Sequence, residues 1–125
     1  MQKYQFYSLN IPAMLSVKKP TFFINRSICL SNISKMADHA RMNQVIFRPH
    51  FKTHQSLEIG SWFRNAGIKC ITVSSVQMAS FFAEDWDDIT IAFPVNIREM
   101  DEINELAEKV RLNILLESAY SAEIS

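Results

Sequence analysis

Four short apolar runs, at residues 45–52, 70–73, 89–93 and 112–116, are each followed by a stretch that reads as a helix. Their far ends fall at Lys52, Ser75, Phe93 and Glu117, at intervals of roughly 18 to 24 residues, the length of a βα unit. A chain punctuated in this way predicts an α/β fold with a parallel sheet. The runs look apolar on both faces, as expected of strands that helices cover.

The connecting stretches agree. Ser27 is a candidate N-cap for a helix to about Arg41, with Cys29, Ile33, Met36, Ala37 and Ala40 on one face. Ile59, Trp62, Phe63 and Ala66 recur at helical spacing, and Gly67 stands where a left-handed C-terminal cap belongs. Ser75 can cap a helix over 76–83, and Pro94 closes the third run because it has no N–H to donate. Asn96 with Glu99 resembles a capping box ahead of a stripe of Ile97, Met100, Ile103, Ala107 and Val110. Residues 1–20 form an aromatic, proline-bearing lead-in without a clear period, residues 21–24 are strand-like, and residues 21–125 read as one incomplete domain.

Composition narrows the functional classes. Thirteen Lys and Arg balance thirteen Asp and Glu, so no net field draws nucleic acid or an acidic membrane. Cys29 and Cys70 are the only cysteines, which argues against a disulfide framework or a thiolate zinc site and for a reducing cytoplasm. The first twenty residues lack a sustained apolar core like that of a secretory leader, and no run is long enough to span a bilayer. With Gly60 and Gly67 as the only glycines, no dinucleotide fingerprint, P-loop or nucleophile elbow exists.

In parallel α/β sheets ligands bind beyond the carboxyl ends of the strands. Those ends carry Lys52, Thr53, His54, Ser74, Ser75, Asn96, Glu117 and Ser118. If residues 45–56 are extended, Arg48, His50, Lys52 and His54 fall on one face, and Phe47, Pro49, Phe51 and Thr53 on the other. Burial and neighbouring positive charge disfavour an ammonium ion, and a neutral amine can attack an aldehyde. His50 and His54 could move protons or bind an anion. The competing reading is a basic edge strand kept soluble by its charges, or a plain anion- or nucleic-acid-binding strand.

The run Arg48-Pro-His-Phe-Lys-Thr-His-Gln-Ser56 resembles the R-P-H-x-K-T-H-K-S signature of fold-type III pyridoxal-phosphate enzymes. The branch is that of D-threonine aldolases and D-serine dehydratases, related to the alanine racemase N-terminal domain. The likeness extends from Pro20-Thr-Phe-Phe-Ile-Asn, through Ile71-Thr-Val-Ser-Ser, to Asp88-Ile-Thr-Ile-Ala-Phe-Pro94, and covers residues 20–117.

The resemblance implies a pyridoxal-phosphate-binding (β/α)8 TIM-type barrel acting on small amino-acid substrates, with Lys52 as the Schiff-base lysine. His50, His54 and Arg48 are its weaker cofactor-binding candidates. The balanced charge gives no nucleic-acid or membrane partner as the expectation, and the resemblance allows a homodimer in the complete enzyme. A barrel needs eight strands and about 250 residues, and this chain supplies about four. The expectation is therefore the N-terminal part of a lyase, aldolase or racemase; the alternative is an inactive remnant or a non-catalytic cofactor-binding module. Metal ligands of metal-dependent members come from later parts of the family's chain, and none maps here.

Overall fold

The computed structural model describes residues 18, 20 and 23–124. In chain order they form α1 (Arg26–Met42), a 3-10 turn (Phe51–Thr53), α2 (Leu57–Asn65), β1 (Ile71–Val73), α3 (Val76–Phe82) and β2 (Asp88–Pro94). A second 3-10 turn (Ile97–Glu99), α4 (Met100–Ala107), β3 (Arg111–Leu115) and α5 (Ala119–Ile124) complete them. Apart from Lys18 and Pro20, the lead-in lies outside the described residues, as do Thr21 and Phe22; Phe23 and Ile24 are not strand.

The helix boundaries follow from their caps. Asn25, not Ser27, caps α1, its Oδ1 accepting from Ile28 N–H at 3.1 Å, so the helix starts earlier than expected. Its buried residues are Ile33 and Ala37; Met36, expected in the core, is exposed. Ser56 caps α2, which ends in a Schellman motif: Ile68 N–H donates to Phe63 O and Gly67 N–H to Arg64 O, with Gly67 at φ 87°. Ser75 caps α3 through Met78 N–H at 3.1 Å. Asn96 instead caps the second 3-10 turn, through Arg98 N–H, and α4 begins beyond it. Of the expected α4 stripe, Ile103 and Val110 are buried, together with Leu106, which the stripe omitted, while Ile97 and Ala107 stay exposed.

The strands form a parallel sheet in the order β1-β2-β3. Register aligns three rows: Ile71, Ile89 and Leu112; Thr72, Thr90 and Asn113; Val73, Ile91 and Ile114. Side chains alternate along a strand, so the first and third rows share a face. They pack with Val76, Ala79 and Phe82 of α3, Ile103 and Leu106 of α4, and with Phe51 and Trp86. A second cluster, Ile33, Ile59 and Trp62, joins α1 to α2.

The middle row points away from this core and is half-buried and polar. The strands therefore alternate, and the expectation of two apolar faces is corrected. Threonines inside apolar runs conceal the period, and register shows that they line up.

The expected strand over 45–52 is also shorter than predicted. Pro49 O accepts from Thr72 N–H at 2.8 Å, and His50 bridges Thr72 in parallel. Pro49 has no N–H to give, and Phe51 turns into the 3-10 turn, so the ladder does not extend. The described residues thus give a three-stranded parallel sheet with a one-residue bridge at its edge, in the sequential order of successive βα units, one strand fewer than the four expected. No described helix is long and apolar enough to cross a membrane.

Candidate functional site at the carboxyl ends of the strands

The 3-10 turn after His50 carries Lys52 at the carboxyl end of the sheet. The other described lysines stand elsewhere: Lys18 precedes α1, Lys35 lies on α1, and Lys69 and Lys109 precede β1 and β3. Phe51, fully buried, anchors the turn among Phe63, Phe82 and Trp86, with ring centroids 5.0 to 5.3 Å away. Lys52 itself is exposed, so the described residues do not provide the burial expected for it.

The two histidines bond alike. His50 Nδ1 accepts from Lys52 N–H, and His54 Nδ1 accepts from Ser56 N–H, both at 3.2 Å. An accepting Nδ1 places the ring proton of a neutral imidazole on Nε2. Burial, and then the Lys52 charge, lower the His50 pKa. His54 is 9% exposed, with Phe51 and Phe63 centroids at 4.4 and 6.0 Å. Burial pushes its pKa down to about 4, and its Nε2 is buried without a hydrogen-bond partner among the described residues.

The four groups expected on one face are consequently split. The period-two pattern stops at the turn: Lys52 faces solvent, and His54 enters the helix-side core. Arg48 lies at the opposite end of the sheet, its NH1 2.7 Å from Asp88 Oδ1 and 3.3 Å from Ile71 O, at the first residues of β2 and β1. Asp88 also accepts from Asn113 Nδ2 at 3.2 Å, and the Arg48 guanidinium holds its carboxyl below the usual range.

Nearer the other strand ends, Ser74, Ser75, Phe93, Pro94, Asn96 and Glu99 line part of a cavity of about 220 Å³. Lys52 is not among the residues that line it. Among the described residues, no three His, Cys, Asp or Glu side chains gather into a metal-holding group. Two participants escaped the sequence reading. Gln55 donates from Nε2 to Lys52 O at 3.2 Å, and Asn113 completes the Arg48–Asp88 network. Gln55 could have been suspected from its place within the lysine motif; Asn113 carries no local signal.

The described residues form successive parallel βα units, with Lys52 in a turn at the carboxyl end of the sheet. No family model matches the chain. It is 28% identical over 109 residues to a D-serine dehydratase of Dictyostelium discoideum, covering 82% of this chain and 28% of that protein. The structure superposes on D-threo-3-hydroxyaspartate dehydratase from Delftia sp. HT23 with a TM-score of 0.74 and 28% identity, over 81% of this chain and 27% of that one. A D-threonine aldolase from Filomicrobium marinum shares the fold, with a TM-score of 0.74 and 20% identity over 78% and 27% of the two chains.

The chain is thus similar in sequence to D-serine and D-threo-3-hydroxyaspartate dehydratases and in fold to D-threonine aldolase, in agreement with the resemblance of its lysine motif to fold-type III pyridoxal-phosphate enzymes. It spans less than a third of the length of the curated relatives it matches.

Proposed function

We propose that this chain carries the lysine-bearing part of a pyridoxal-phosphate-dependent amino-acid lyase, aldolase or racemase, with Lys52 as the Schiff-base lysine. The observation that carries the reading is the position of Lys52: it is the described lysine at the carboxyl end of a parallel sheet, in a chain related to dehydratases of D-amino acids. An accessible primary amine there fits an aldehyde cofactor. No described residue is assigned to the phosphate.

Pyridoxal phosphate, when bound, supplies the aldehyde for the lysine and a ring that withdraws electrons from the Cα of an amino acid. The chain's own residues hold the link. Lys52 would hold the cofactor through Nζ, at the position that the amine of a substrate would take over. His50 keeps the lysine turn in place through Nδ1. His54, sealed among phenylalanines, and Arg48, paired with Asp88, stay out of the chemistry and support the fold.

A second reading, cofactor binding without turnover by this chain alone, is supported by the exposure of Lys52. Borohydride reduction in the presence of pyridoxal phosphate, followed by peptide mapping, tests the first reading. The adduct is expected on Lys52; its absence there, in this chain and in a full-length homologue, refutes it. Amino-acid turnover by the purified chain would refute the second.

A further inference from the structure

Lys52 is steered through its backbone. Its N–H donates to His50 Nδ1 and its carbonyl accepts from Gln55 Nε2, each at 3.2 Å, so side chains on either side of it in the motif hold both of its peptide groups. Phe51, the residue before it, is itself buried in the core, and the N–H groups of His54 and Gln55 both donate to Phe51 O.

Water could satisfy the same groups on an exposed residue, so solvation alone does not require these bonds. Gln55 also sits at φ 44°, a left-handed conformation that is unfavourable for a residue with a Cβ. Glycine would adopt that backbone more easily but has no amide to give. The chain keeps the more strained residue, and that residue reaches the lysine.

We propose that His50 and Gln55 are positioning residues that fix the backbone of Lys52, and with it the direction in which the amine leaves the sheet toward an aldehyde. The inference rests on the assignment of Lys52 above. A lysine side chain has four rotatable bonds, so fixing its root narrows the volume the amine explores. Neither residue touches the reacting atoms.

The test uses the full chain with three variants: His50→Leu, His50→Asn and Gln55→Gly. Two readouts are taken: amide hydrogen exchange at Lys52 without cofactor, and the pyridoxal phosphate concentration that gives half-maximal borohydride labelling of Lys52. His50→Leu is expected to speed Lys52 exchange about fivefold and raise the half-maximal concentration by a similar factor, the scale of one net hydrogen bond. His50→Asn should restore both, because His50 has the extended backbone from which an asparagine Oδ1 can accept an N–H two residues on. Gln55→Gly should weaken labelling although it relieves the φ.

Wild-type exchange and labelling in both His50→Leu and Gln55→Gly would overturn the proposal, as would failure of His50→Asn to rescue a folded protein. If Lys52 is unlabelled in the wild type while its exchange responds as expected, the cofactor assignment fails and the brace stands. Should His50→Leu not fold, Gln55→Gly decides, since its change relaxes the backbone.

Discussion

Acid should destabilise this protein through His54, and the effect can be sized from its surroundings. The ring is 9% exposed, packed between Phe51 and Phe63, and its Nδ1 already accepts the Ser56 N–H. Protonation would bury a charge and break that bond. The folded pKa is about 4 against 6.5 when unfolded. Between these values the unfolded chain binds the proton and the folded chain does not, so stability is full above pH 6.5 and falls as pH drops toward 4. At ~1.4 kcal/mol per pH unit the gap is worth about 3 kcal/mol, a large share of an ordinary domain's stability. Asp88, whose pKa is lowered, and His50 also contribute to the overall acid response, so His54 must be isolated by difference. His54→Phe keeps an aromatic ring and gives up the Ser56 bond at every pH, a constant offset. Urea denaturation of both proteins between pH 7.5 and 4 is the assay. The wild type should lose about 3 kcal/mol more than His54→Phe over that range. Parallel curves would refute the reasoning.

Two further outcomes follow from the same structure. Asp88→Ala leaves the half-buried Arg48 guanidinium and Asn113 without their shared acceptor and should cost about 2 kcal/mol in urea denaturation at neutral pH. Gly67→Ala meets no atom within 4 Å of the added Cβ, so its expected loss of about 1 kcal/mol, read as a lower melting temperature, would come from the φ of 87° alone.

What the sequence disclosed was local. The α2 stripe with Gly67 behind it, the Ser75 cap and Pro94 at the end of β2 each carry their signal within a few residues, and the structure places them as read. What it concealed depends on neighbours in space. The alternation of basic residues continues past His50, yet the chain turns there because Pro49 has no N–H and the His50 ring takes the Lys52 N–H. Thr72, Thr90 and Asn113 become a polar row only once register aligns them. Arg48 looked like part of a basic site because its partner, Asp88, lies 40 residues on. The resemblance carried by the lysine motif agrees with the relatives found, while the roles of individual site residues come from geometry and from the proposals built on it.

The central claim concerns one nitrogen, Lys52 Nζ. Intact mass and peptide mapping after borohydride reduction with limiting pyridoxal phosphate, on the wild type and on Lys52→Arg, test it most directly. The account predicts a single pyridoxyl group on Lys52 of the wild type and none on the variant. Equal labelling of the two proteins, or wild-type label spread over Lys35, Lys69 and Lys109, would contradict it.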